Sequence, residues 1–410
     1  MFDFMHLYNS YEKASKGHGR SLQVIRFWFY LERELDLIDK DIKLKTYKPR
    51  KKKPFIIFEP KQRKIFESHF RDRVVHHALC SILNPVFEKH SLPMSYACRK
   101  GYGNLRALNN LRARINSLTE ANEEVWLLKI DIRKYFDSIP HDKLINLIKR
   151  HTDNSDLLWL SRKIITSHEN SPQKGLPIGN LTSQIFANLY LNELDHFIVH
   201  KKRFKYLFRF MDDLVIVHPR KETLELLLEE IKIFCSNALE LEVHPNKIVL
   251  SPAKKGIEFL GFHVTNTKRT IKPTNMARIK IRLRNFSKML ARDQITTGKI
   301  EQSLKSWMGY ACHGQVRFQL KHLVTWSAFD PQLQKLCQNV FFRPSKGRPP
   351  GPKPKRLALQ NAHIVLYQSP LDREICESEC EFFRALQLPQ QALAHDDLQK
   401  QWPQSDLLTP

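Results

Sequence analysis

Two adjacent carboxylates, Asp212 and Asp213, interrupt the apolar run YLFRFMDDLVIVH at residues 206–218. Tyr206, Leu207, Phe208 and Phe210 lead into the pair, and Leu214, Val215, Ile216 and Val217 leave it. Burying one ionised carboxylate without a partner costs several kcal/mol, and two at close range raise one another's proton affinity. A divalent cation relieves both penalties. An all-oxygen site suits Mg²⁺, which keeps several waters and is completed by substrate phosphates; Mn²⁺ shares that preference. The other reading of the stretch is a solvated turn between surface strands, because Asp is a common turn residue. A second acidic locus, LLKIDIRKYFDSIPH, puts Asp131 after a buried apolar strand, with Tyr135 and Phe136 close behind. One Asp from a strand end and two from a hairpin can hold two Mg²⁺ about 3.5–4 Å apart, the arrangement that clamps attacking and leaving oxygens in phosphoryl transfer. Asp137 and Asp142 read as a turn residue and a helix-start cap.

The elements that must position these groups follow from periodicity. VWLLKIDI reads as a short buried strand, HDKLINLIKRH as a helix, and TSQIFANLYLNELDHFIV as a long helix with one apolar face. The 206–218 run is then a hairpin with both Asp at its turn; KETLELLLEEIKIFCSNAL is another amphipathic helix and IEFLGFHV a last strand. Helices laid on one antiparallel sheet make an α+β layer. Upstream, residues 20–42 predict one amphipathic helix, FIIFEP and KQRKIF a hairpin, and FRDRVVHHALCSILNPVFEKH a helix that stops near Pro85. A loop, SYACRKGYGNLRAL, leads into a further helix through LNNLRARINSL. Residues 270–325 are helical and basic, and RPSKGRPPGPKPKR after about 340 reads as a linker before a polar, Gln-rich tail.

Composition narrows the partners. Lys plus Arg (67) exceed Asp plus Glu (42), a net charge of +25, which points to a polyanion and most simply to nucleic acid. A membrane surface is the rival, but no apolar run approaches the roughly 18 residues of a spanning helix, and the N-terminus lacks a signal-peptide core. Seven cysteines without framework spacing fit a reducing compartment. The expectation is a cytoplasmic protein.

In order and rough spacing, KIDIRKYFDSI, GLPIGNLTSQIFANLYLNELD, FRFMDDLVIV, HPNKIVL and IEFLGF resemble the motifs of reverse transcriptases. RKIFESHFRDRVVHHAL and PVFEKHSLPMSYACRKGYG resemble the fingers motifs of bacterial, group II intron-like members, so the resemblance covers roughly residues 20–320. It implies a right-hand polymerase with N-terminal helices and fingers at 1–124, palm at 125–268, helical thumb at 269–340, and a basic linker and tail of unknown role at 341–410. It also implies RNA-templated DNA synthesis with two Mg²⁺ ions, in which a primer 3′ hydroxyl attacks a dNTP α-phosphate. The partners would be a template or non-coding RNA, the RNA–DNA duplex, dNTP and a small accessory protein.

The same resemblance assigns roles. Asp131, Asp212 and Asp213, with Ile132, become the metal-binding positions, and Lys247 the residue that protonates departing pyrophosphate; a snorkelling surface Lys is the alternative. Arg63, or Lys61, would meet the triphosphate, and Phe136 would be the steric gate against a ribose 2′ hydroxyl, unless it is ordinary core. Ile178, Gly179 and Gln184 lie in the nucleotide-contacting motif. Many members carry Gln-Gly where this chain has Ile178-Gly179, and Ile offers no hydrogen bond. IGNLTSQ resembles the enzymes of diversity-generating retroelements, where the apolar residue accompanies error-prone copying at template adenines; related defence enzymes share the pattern. Arg71, Arg73 and Arg99 would approach template or phosphates, the first two with a local Asp–Arg cluster as the alternative and Arg99 with a plain surface role. Met211 would lie under the primer end, and Leu260 and Gly261 in the primer grip. His76-His77 read as structural, and Cys376 with Cys380 lacks the second pair of a zinc site.

Overall fold

The computed structural model describes residues 2–19, 21–58, 62–122, 124–168, 172–324 and 331–342. Helix α1 (Phe4–Ser15) starts at Asp3, whose carboxylate accepts the His6 N–H at 2.6 Å. Residues 20–42 make two helices rather than the single one expected, α2 (Leu22–Phe29) and α3 (Leu31–Lys43). The chain breaks at Tyr30 (φ −112°, ψ 30°), which lets Val24 and Phe27 of α2 and Leu35, Ile38 and Ile42 of α3 all reach the core. The hairpin of β1 (Lys53–Ile57) and β2 (Arg63–Glu67) pairs Phe55 with Ile65. Helix α4 (Phe70–His90) does not stop at Pro85 but runs through it. The lost backbone bond is local, whereas Leu83 and Phe87 on either side are buried and hold the last turn in place. Helix α5 (Asn104–Ala121) follows.

The sheet that carries the acidic residues is built around β3 (Trp126–Asp131). Helices α6 (Tyr135–Ser138), α7 (His141–Lys149), α8 (Ser155–Ile165) and α9 (Leu181–His196) separate it from β4 (Leu207–Phe210) and β5 (Asp213–His218). Helix α10 (Lys221–Asn237) leads to β6 (Val249–Pro252), and the strand order β4-β5-β3-β6 is antiparallel throughout. Side chains alternate across it. Leu128, Ile130, Leu214 and Ile216 share one buried face, while Leu127, Val215 and Val217 share the other with Lys129, Asp131 and Asp213. Asp212 lies in the hairpin turn as expected, but Asp213 is the first residue of β5.

IEFLGFHV is a hairpin, not one strand. Strands β7 (Ile257–Phe259) and β8 (Phe262–Val264) reverse at Leu260 (φ 48°) and Gly261 (φ 87°), and β9 (Arg269–Ile271) completes a separate three-stranded sheet. Helices α11 (Pro273–Leu290), α12 (Thr297–Ala311), α13 (Arg317–Val324) and α14 (Pro331–Phe342) follow. One apolar cluster joins Leu127, Val215 and Val217 to Phe259 and Phe262, and on to Leu283, Leu304 and Phe341. Among the described residues no helix is long and apolar enough to cross a membrane, and Cys80, Cys98, Cys235, Cys312 and Cys337 are free thiols. The linker and tail after 342, with Cys376 and Cys380, lie outside the described residues, as does Lys61.

Candidate active site

Register brings the carboxylates together. Asp131 stands directly opposite Asp213 in the β3–β5 pair, and Asp213 also faces Phe210 across the hairpin, with Asp212 next to it in the turn. Directly opposed strand residues have Cβ atoms about 4.5–5.5 Å apart. The turn requires Met211 at φ 55°, and its carbonyl accepts from Arg209 Nη1 at 3.2 Å. Arg209 itself is buried, in a bidentate pair with the equally buried Asp195 of α9 at 2.6–2.8 Å. An arginine between two phenylalanines of a strand was the available signal for this support; sequence reasoning passed over it.

Each of two carboxylates faces an ammonium group. Lys247 Nζ lies 2.6 Å from Asp131 Oδ1. It is carried there by the segment whose His244 N–H bonds the Asp131 carbonyl at 2.8 Å, while Arg133 N–H bonds Glu242 O and so brackets Ile132 against Val243. Lys129 Nζ lies 2.9 and 3.0 Å from the two oxygens of Asp213. Lys129 was missed in the sequence, although strand alternation puts it on the face of Asp131. Burial pushes the Asp213 carboxyl up to about 6; Lys129 opposes that, and Asp131 and Asp212 add to it. Asp212 is raised by burial and then by Asp131, against Lys247 and Arg63.

No three His, Cys, Asp or Glu side chains stand as a ready metal cage among the described residues, and Asp131 and Asp213 each turn oxygen onto a lysine. The donor set nonetheless fits a hard divalent cation. It is all oxygen, its members repel one another's charge, and Asp213 Oδ1 is buried without a well-aligned donor.

Two of the expected nucleotide-contacting residues, Arg63 and Ile178, line a common cavity, and Phe136, Gly179 and Gln184 do not line it. This cavity of about 960 Å³ is lined by Arg63, Lys64, Arg133, Lys134, Lys174 and Ile178, among others. Arg63 opens β2 and is exposed; its charge reaches Asp212. Phe136 is half-buried on α6, in edge contact with Tyr135, whose hydroxyl donates to Ala187 O at 2.5 Å. The Ile178 carbonyl accepts the Phe66 N–H at 3.0 Å, tying the 63–67 strand to the IGN loop. Gly179 at φ +119° permits that approach, since a Cβ there would lie 3.0 Å from Ile65 Cγ2. Gln184 is exposed and accepts from Cys98 Sγ at 3.4 Å.

The arginines expected on the template are engaged within the protein. Arg71 is buried and pairs with Asp41 at 2.7 Å, while Asp72 accepts from Tyr47 Oη and Arg50 N–H. Arg73 pairs with Glu67 at 2.5 Å, and Arg99 with Glu88 and the carbonyls of Leu92 and Ser95. Arg71 and Arg73 are thus tied into ion pairs at the start of α4, and the Arg99 side chain, 8% exposed, is held by Glu88 rather than projecting from the surface. His76 is buried, bonded to Thr182 Oγ1 at 2.7 Å, and its pKa is pushed down to about 3 by burial. Leu260 and Gly261 form the β7–β8 turn, and the Gly261 carbonyl accepts from Tyr310 Oη at 2.6 Å and Asn275 Nδ2 at 3.3 Å.

Comparison with known proteins decides the family. The profile described as "Reverse transcriptase (RNA-dependent DNA polymerase)" matches residues 50–264, which includes Asp131, Asp212 and Asp213. The chain belongs to the reverse transcriptase family. Its antiparallel sheet and flanking helices are the right-hand polymerase fold of that family. The group II intron-encoded protein LtrA of Lactococcus lactis subsp. cremoris is 21% identical, over 75% of this chain and 63% of its own. An uncharacterized 91 kDa protein in a cob intron of Schizosaccharomyces pombe is 32% identical over 32% of this chain and 16% of its own. A solved structure of apo telomerase from Candida tropicalis aligns at a TM-score of 0.46, with 12% identity, over 72% of this chain and 57% of that one. This reverse transcriptase chain thus spans less than two thirds of the length of each.

Proposed function

We propose that this chain is an RNA-directed DNA polymerase that makes cDNA from a dedicated structured RNA. The observation that carries the reading is the register of Asp131 against Asp213, with Asp212 beside it and Lys247 on Asp131. Asp131, Asp212 and Asp213, with the Ile132 backbone, would hold Mg²⁺. Bound there, the ions would neutralise phosphate charge and favour ionisation of the primer hydroxyl. The protein's own part is to position and to exclude. On this reading Arg63 would meet the triphosphate, Phe136 would crowd a 2′ hydroxyl, and Lys247 would donate a proton to leaving pyrophosphate.

Error-prone copying in a diversity-generating retroelement is the programme that Ile178 favours, because its side chain brings no hydrogen bond to the nucleotide. The basic segment and tail after 340 favour a second reading, a phage-defence enzyme that copies its own non-coding RNA in the cytoplasm. Primer extension on a primed RNA by the Asp212→Ala, Asp213→Ala double variant tests the core claim. The expected result is no dNTP incorporation with RNA binding retained; undiminished synthesis would remove Asp212 and Asp213 from the catalytic site, and a parent chain that binds RNA but extends no primer would leave an RNA-binding scaffold as the function. Sequencing the cDNA made on co-purified RNA, together with its error spectrum, separates the two programmes.

A further inference from the structure

We propose that Lys129 is a positioning residue that fixes the β7–β8 turn relative to the acidic pair. The inference rests on the polymerase reading above. Strands β3 and β7 belong to different sheets, so no backbone ladder holds one to the other. Lys129 crosses the gap. Its ammonium group contacts both oxygens of Asp213 at 2.9 and 3.0 Å and the Glu258 carbonyl of β7 at 2.7 Å. The stem leaves β3 on the face of Leu127, Val215 and Val217, members of the apolar cluster that also contains Phe259, and the ammonium group lies 5.9 Å from the Phe259 ring. A long apolar stem ending in a compact charge suits that path.

The turn is gripped from its other side as well. Gly261 O accepts from Tyr310 Oη of α12, from Asn275 Nδ2 of α11 and from the Lys272 N–H at 3.1 Å. Lys272 Nζ also reaches Glu258 Oε2 at 2.5 Å. The hairpin is therefore suspended between two anchors: helices α11 and α12 on one side, and Asp213 through Lys129 on the other. Whatever the turn seats, Lys129 sets its distance from the acidic pair. In a polymerase that object is the primer end, and an error of about 1 Å in its placement can cost 10²-fold in rate.

The test uses the full chain in primer extension with Lys129→Met, Lys129→Arg, Tyr310→Phe and the Lys129→Met, Tyr310→Phe double variant. Lys129→Met keeps the stem and removes the tie. It is expected to lower kcat roughly ten- to a hundredfold while the primer–template Kd and the dNTP KM stay within about threefold. Lys129→Arg, which retains charge and donors, is expected to recover most of that loss and decides the matter should Lys129→Met melt early. Because both anchors act on one turn, the kcat losses from Lys129→Met and Tyr310→Phe should be non-additive. An unchanged kcat in Lys129→Met, no recovery by Lys129→Arg, or strict additivity with Tyr310→Phe would each overturn the inference. The Asp212→Ala, Asp213→Ala variant run alongside separates the two claims. If it still extends, the assignment of the acidic pair as the catalytic site fails; if it is dead while Lys129→Met is fully active, only the Lys129 role fails.

Discussion

Replacing Asp213 by Asn should make the protein more stable and, on the reading above, inactive. The carboxyl is held at about 6 against an ordinary 3.8, with burial the largest cause. A carboxyl whose folded pKa lies above its unfolded value binds its proton more tightly when folded, so ionising it costs stability. The cost is absent below the unfolded value, grows between about 4 and 6, and is complete above that. Two units correspond to about 3 kcal/mol. The side chain is 23% exposed, so solvent screening trims this to roughly 2 kcal/mol. Asn removes the charge but leaves Lys129 with a weaker acceptor, so a net gain of about 1–2 kcal/mol is expected at about pH 7.5. Urea unfolding of the chelator-treated protein at about pH 7.5 and about pH 4 measures it, and the gain should disappear at the lower pH. Added Mg²⁺ should then stabilise the parent and not the variant, by mass action on the folded state. A parent more stable than Asp213→Asn at about pH 7.5, or a difference independent of pH, would refute the reasoning.

Other outcomes follow from single sites. Gly261→Ala puts a Cβ 2.6 Å from Tyr310 Oη at φ +87°, and should cost at least about 2 kcal/mol in thermal unfolding; adding Tyr310→Phe should relieve the clash but not the backbone strain. Asp195→Ala strands the buried Arg209 charge and should lower stability by about 3–5 kcal/mol, measured by denaturant titration. Ile178→Gln restores a hydrogen-bonding side chain beside Gly179 and should reduce misincorporation opposite template adenine; identical error spectra in sequenced products would count against it. RNA affinity should fall steeply and linearly on a log–log plot against salt, as a chain of net charge +25 requires, and a flat profile in filter binding would speak against phosphate contacts.

Local pattern alone determined a good deal of this protein. Short continuous apolar runs in VWLLKIDI and LVIVH marked the central strands as buried, and the apolar stripes marked α7, α9 and α10, because both kinds of pattern are written residue by residue. The acidic residues stood out for the same reason: charge inside an apolar run is conspicuous without any structure. Partner choice is another matter. That Asp131 faces Asp213 is a register between strands more than 80 residues apart, and that Lys129 spans two sheets depends on how those sheets meet. Arg71 looks available in a sequence, and its ion pair exists because a segment 30 residues away delivers Asp41; Arg73 and Arg99 pair with the nearer Glu67 and Glu88, and it is the turn of the chain at each end of α4 that aims those side chains at one another. Pro85 and the LG turn show the same division. A proline's lost bond and a strand's continuity are local preferences worth a few kcal/mol at most, and burial of Leu83, Phe87, Phe259 and Phe262 overrides them. Residue type and spacing selected the chemistry, while the assembled sheets decided which charges meet, since only packing brings far-apart segments within a hydrogen bond's length.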